Sequence, residues 1–96
     1  MDKRELDWSS EQRLREGKLV VYLTGQEDPA WANDFYEARL YVLRRRRARG
    51  RPPVEIVMDG SKITLSEIPN EEEQQLKDEL QEIVEVTNEA VPDSSA

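Results

Sequence analysis

Val54-Glu55-Ile56-Val57-Met58-Asp59-Gly60-Ser61-Lys62-Ile63-Thr64-Leu65-Ser66 is the stretch on which the reading of this chain turns. Val54, Ile56 and Met58 alternate with Glu55 and Val57, and Ile63 and Leu65 alternate with Lys62, Thr64 and Ser66. Between them Asp59, Gly60 and Ser61 carry turn chemistry, so the spacing predicts a β-hairpin with one buried face. Just upstream, Gly50, Pro52 and Pro53 break whatever precedes it. What precedes it is helical: Trp31, Phe35, Ala38 and Val42 fall at i, i+4, i+7 and i+11, flanked by Leu40 and Leu43, one broad apolar stripe. Asp28 followed by Pro29 supplies its cap and first residue, and the helix is expected to run to Arg47 or Ala48.

Further out, Lys18 to Thr24 holds the continuous apolar run Leu19-Val20-Val21-Tyr22-Leu23, closed by Gly25; this predicts a core strand. After the hairpin, Asn70 precedes Glu71, Glu72 and Glu73, which predicts an Asn cap, an acidic first turn and a capping-box contact from Glu73. The second helix then buries Leu76, Leu80, Ile83, Val84, Thr87 and Val91. Residues 1–17 mix Trp8 and Leu14 with charges at no clear period and receive no state. They read as an N-terminal arm, residues 18–91 as one domain, and 92–96 as a disordered tail.

The expected order is therefore strand, helix, strand, strand, helix. A right-handed crossover sets the second strand parallel to the first, and the third inserts between them. The expected fold is a small α+β two-layer sandwich, β-α-β-β-α, with a three-stranded sheet in order 1-3-2 and both helices on one face. It resembles a ferredoxin-like arrangement lacking its last strand. Such a sheet has two open edges and a bare face, which points to pairing with a second copy or with residues 1–17.

Charge is segregated along the chain. Residues 1–53 carry 12 Lys/Arg against 9 Asp/Glu, residues 54–96 carry 2 against 12, and the net charge is −7. The basic side concentrates in Arg44, Arg45, Arg46, Arg47, Arg49 and Arg51. Guanidinium groups bind phosphate bidentately, so this run is a candidate nucleic-acid contact. Against that, consecutive helical residues lie 100° apart and cannot form one face, and arginines in a last turn stabilise the carbonyl end of the helix. The structural reading is favoured. The acidic second helix likewise reads first as a solvated face, with pairing between the two charged regions left open.

Catalysis has little support. Without His or Cys the usual zinc and haem ligand sets, thiolate chemistry and disulfides are all missing. Asp59 with Glu67, or Asp28 with Asp34, could be drawn as acid–base dyads, but each is first a turn, cap or surface residue. The four glycines match neither phosphate-binding fingerprint, and Asp59-Gly60-Ser61 lacks the further ligands of a calcium loop. Trp31, Phe35 and Tyr36 are core before they are a ligand pocket. No cofactor and no metal are expected. Lys3 and Arg4 stand where a signal peptide would start, yet Glu5, Asp7 and Glu11 interrupt any apolar segment; neither export nor membrane insertion is expected, and a cytoplasmic location is.

The preferred functional reading is a non-enzymatic interaction module, acting through its surface as an adaptor, regulator or inhibitor of a protein partner and expected as a homodimer. Trp8 and Tyr41, the aromatics least tied to the core, are its candidate interface residues. The second reading is a nucleic-acid-binding accessory protein that uses the arginine run. The third is a small enzyme with carboxylate chemistry that needs a cofactor or partner.

Overall fold

A computed structural model of the chain describes residues 3–15, 17–69 and 71–90. Its elements are β1 (Leu6–Leu14), β2 (Lys18–Leu23), α1 (Pro29–Ala48), β3 (Glu55–Asp59), β4 (Lys62–Ser66) and α2 (Glu73–Glu89). The sheet is antiparallel throughout, in order β1-β2-β4-β3. The expected three-stranded sheet is therefore corrected to four strands. The three expected strands keep their order, β4 between β2 and β3, and the additional strand comes from the N-terminal arm. The predicted tail at 92–96, and Val91, lie outside the described residues.

β1 escaped the period-two test because it is bulged. Leu6 pairs with Leu23 and Asp7 with Tyr22, but the next pair is Gln12 with Val20. The surplus residues on β1 leave the ladder, and side chains take over its bonds: the Ser10 hydroxyl accepts from Tyr22 N at 3.0 Å and donates to Asp7 O at 2.6 Å. Leu6, ahead of the bulge, and Trp8, at its start, pack against the core, while after it Arg13 stands opposite core-facing Leu19 and its exposed side chain reaches Glu73 on α2. A bulge of this kind resets which face each residue occupies.

The hairpin is as predicted. Asp59 pairs with Lys62 across Gly60-Ser61. Gly60 sits at φ 64° while Ser61 is not at positive φ, the pattern of a type II′ turn, which wants glycine first. Its inward residues Ile56, Met58, Ile63 and Leu65 join Leu19, Val21 and Leu23 of β2 in one cluster with Trp31, Phe35 and Val42 of α1 and Leu76, Leu80, Ile83 and Val84 of α2. Both helices thus cover the same face. α2 lies over β1, with Trp8 Nε1 donating to Gln81 Oε1 at 3.1 Å. α1 lies over β3, with the Tyr36 hydroxyl donating to Met58 O at 2.7 Å and Arg39 to Ile56 O at 2.8 Å.

Those last two bonds close an edge. With Asp59 opposite Lys62 at the turn, the hydrogen-bonded pairs are 55/66, 57/64 and 59/62, so the carbonyls of Ile56 and Met58 point away from β4. Tyr36 and Arg39 occupy them, and the bulge spoils the other edge at β1. Open-edge pairing, the physical basis for expecting a second copy, is blunted at both ends of the sheet.

A second unexpected feature is Arg4, which is 2% exposed. Its Nε donates to Thr24 O at 2.9 Å, another nitrogen reaches the Ser61 hydroxyl, and the guanidinium lies 5.5 Å from the centroid of Trp31. Its backbone N–H donates to Asn88 Oδ1, its carbonyl accepts from Asn88 Nδ2, and Trp31 Nε1 donates to the same Oδ1. One residue ties the start of β1 to the hairpin turn, the entry to α1 and the end of α2. Burial lowers its pKa from the ordinary arginine value, against the pull of Glu27 and Asp28. Arg4→Met should cost roughly 2 kcal/mol and lower the melting temperature by about 10 °C. A thermal melt within a degree or two of wild type would show the latch to be ornamental.

Candidate functional site: the arginine end of α1

Arg46 continues the buried stripe of α1, four residues beyond Val42, and its side chain is 2% exposed. Nε donates to Pro52 O at 2.9 Å, one terminal nitrogen to Glu79 Oε1 at 2.9 Å and the other to Glu72 Oε2 at 2.7 Å. Arg45, on the neighbouring flank, makes a two-pronged contact to Glu82 with both bonds at 2.7 Å. Arg51 reaches the other oxygen of Glu72 at 2.5 Å. The basic run of α1 and the acidic face of α2 therefore pair with each other, which answers the question that charge segregation left open.

This pairing also moves the start of α2. Helix geometry begins at Glu73, with Glu72 in the cap position and no side-chain cap bond. The expected capping by Asn70 is thus corrected by position: Asn70 lies outside the described residues and is not the residue preceding the helix. Glu72 makes no cap bond, and its two oxygens point instead to Arg46 and Arg51.

Arg44, Arg47 and Arg49 are exposed and make no ion pair among the described residues. Of the six arginines of the candidate nucleic-acid contact, three pair with glutamates, Arg46 buried, Arg45 half-buried and Arg51 exposed, and three face solvent without an ion pair among the described residues. Tyr41 is 64% exposed, with Arg45 5.9 Å from its ring centroid. Trp8 is half-buried against the core, bonded to Gln81 and with Lys77 5.9 Å from its ring, so its indole edge is already spent within the fold. Trp31 and Phe35 are fully buried and stacked at 5.7 Å; they are core. Asp28 caps α1 by accepting from Ala30 N at 2.9 Å, and Asp34 lies six residues on, on another side of the helix. Asp59 sits at the hairpin turn and Glu67 beyond the far end of β4, so neither drawn dyad is assembled.

Two clefts flank Arg46. One, of about 310 Å³, runs between the helices past Arg45, Arg49, Gln75, Asp78 and Glu82. Glu79 closes its inner side, and Glu79 Oε2 is buried with no partner among the described residues. The other, of about 490 Å³, lies between α1 and the Pro52–Val54 segment, lined by Leu43, Arg47, Arg51, Pro52, Pro53 and Val54. Arg46 and Glu79 were missed as structural residues, yet helix arithmetic carries the signal: Arg46 extends the stripe of α1, and Glu79 falls between Leu76 and Ile83 on that of α2.

Among the described residues no cluster of acidic side chains could hold a metal ion, and no helix is long and apolar enough to cross a membrane. Comparison with known protein families, curated proteins and solved structures finds no match to the chain.

The ion pairs set a pH dependence. The hydrogen bond from Arg51, with the charge of Arg46 behind it, holds Glu72 below the ordinary glutamate value; the hydrogen bonds from Arg45 do the same for Glu82. A carboxylate whose folded pKa lies below its unfolded one stabilises fully above the unfolded value and loses that contribution as pH falls through the folded one. Urea midpoints should therefore drop as pH is taken from about 7 to about 3, and Glu82→Gln should start lower and drop less. Parallel curves for the two proteins would show that the Arg45–Glu82 pair contributes nothing.

Proposed function

We propose that this chain is a non-enzymatic interaction module that engages a protein partner through the outward half of the arginine end of α1. The observation that carries this reading is the division of the run. Arg45, Arg46 and Arg51 pair with Glu72, Glu79 and Glu82, while Arg44, Arg47 and Arg49 stay in solvent, Arg47 on the rim of the apolar cleft and Arg49 on that of the cleft between the helices. Three exposed guanidiniums, one of them on the rim of an apolar cleft, on a chain of net charge −7 favour local recognition of an acidic partner surface over long-range attraction to a polyanion.

A second copy is proposed to dock on the outer face of the sheet, not at its edges. Val20, Thr64 and Val57 form one row across β2, β4 and β3, and Leu14, Tyr22 and Val57 are exposed there. Lys18 and Glu55 lie at opposite sides of the adjacent row, since Glu55 pairs with Ser66 and Leu19 with Leu65. A two-fold axis along the strands sets each copy's lysine on the other's glutamate, the self-complementarity an isologous contact needs. Light scattering should give twice the 11.2 kDa of the chain, and Tyr22→Lys/Val57→Lys should give the single mass. A monomeric wild type contradicts this arrangement.

The nucleic-acid reading keeps only three of its six arginines. Fluorescence anisotropy with double-stranded DNA and single-stranded RNA, from about 50 to 200 mM salt, separates the two readings. Three phosphate contacts would give a slope of about −2.7 in log K against log salt. The expected result is no such binding in either wild type or Arg44→Ala/Arg47→Ala/Arg49→Ala. Steep salt-sensitive binding abolished by the triple substitution would overturn the protein-partner reading.

A further inference from the structure

The exit of α1 builds a groove with an apolar floor and a basic rim. Half-buried Leu43 and buried Val54 supply the floor with Pro52 and Pro53, and buried Arg46 with exposed Arg47 and Arg51 completes the lining of a cleft of about 490 Å³. That volume lies within the range of ligand-sized sites, about 300–1,000 Å³. Its walls are fixed before anything binds: Arg46 Nε holds Pro52 O at 2.9 Å, and Arg51 N donates to Arg46 O at 3.1 Å. Two consecutive prolines stiffen one side further, since their φ angles are locked. A groove held in shape in this way avoids the ordering cost that weakens most peptide sites.

We propose that this groove receives a short acidic peptide segment carrying a bulky apolar anchor, the anchor seated between Leu43 and Pro52–Val54 and the carboxylates on Arg47 and Arg51. The inference rests on the reading of this end of α1 as a protein-binding surface and names the partner's chemistry. Charge complementarity selects carboxylates: Arg47 has no acidic partner among the described residues, and Arg51 gives only one nitrogen to Glu72. The floor selects a peptide over a nucleic acid, because none of the lining residues is aromatic and a base would find no platform to stack on. The mode is side chain into groove. Strand addition on the neighbouring β3 is obstructed, as Tyr36 and Arg39 already occupy the outward carbonyls of Met58 and Ile56.

The probe is a fluorescein-labelled peptide with a Leu-Phe pair flanked on each side by Asp-Asp, set against one of equal charge with Ser-Gly at its centre. Titration of the full chain is followed by anisotropy and by amide chemical shifts. The Leu-Phe peptide should bind saturably with shifts at Leu43, Arg47, Arg51 and Val54, and the Ser-Gly peptide about tenfold more weakly. Arg47→Glu and Pro53→Asp, both at exposed positions and both checked for native circular dichroism, should each weaken the Leu-Phe peptide by about tenfold or more. Equal binding of the two peptides, shifts elsewhere, or no binding overturns the groove assignment. If the peptide fails and the nucleic acids also fail, the groove inference falls alone; if an oligonucleotide binds in its place, the protein-partner reading falls with it.

Discussion

A guanidinium cut off from water must have its hydrogen bonds supplied by protein, and Arg46 draws them from three separate segments of the chain. Glu72 precedes α2, Glu79 lies on its buried face, and Pro52 belongs to the segment leaving α1. The position of α2 along α1, the late start of α2 and the path of residues 49–54 all follow from satisfying that one side chain. Taking these charges out of water is costly and is recovered only when geometry is good. The 2.7–2.9 Å contacts are what good geometry requires.

The same constraint explains how a chain so divided in charge holds together. The basic segment sits on one helix and the acidic segment on the other, and the two helices lie side by side on one face of the sheet, so segregation in sequence becomes complementarity in space. What reaches solvent without an ion pair among the described residues is the remainder, Arg44, Arg47 and Arg49 at the end of α1, with Arg47 beside apolar surface that the Arg46–Pro52 bond keeps in place. The proposed binding surface is thus a by-product of the ion pairs that fix the helices. At the opposite end of the helix pair Arg4 does a related task with neutral partners, closing β1 against Thr24, Ser61 and Asn88.

Local patterns in the sequence foretell local elements. The hairpin over 54–66, both boundaries of α1, the core run of β2 and the stripe of α2 are all set by spacing within a few residues. β1 is not, because three serine-mediated bonds at its bulge interrupt the alternation that would reveal it. The start of α2 is misread because Asn70 and the glutamates after it present a capping signal that Arg46 and Arg51 override from afar. Arg4 is invisible to any window, since its partners lie 20 to 84 positions away. The candidate site was half legible: the run drew attention to the right place, while its conspicuous repetition hid that Arg46 occupies a core position of the helix.

Registration of α1 against α2 by the buried Arg46–Glu79 pair is measurable as a coupling energy in a double-mutant cycle in urea. Arg46→Met alone should destabilise by about 3–5 kcal/mol because it strands a buried carboxylate. Adding Glu79→Leu should recover most of that loss, giving a coupling energy of about 2 kcal/mol or more. Independent, additive effects of the two substitutions would mean that the pair does not register the helices, leaving their pairing to apolar contacts alone.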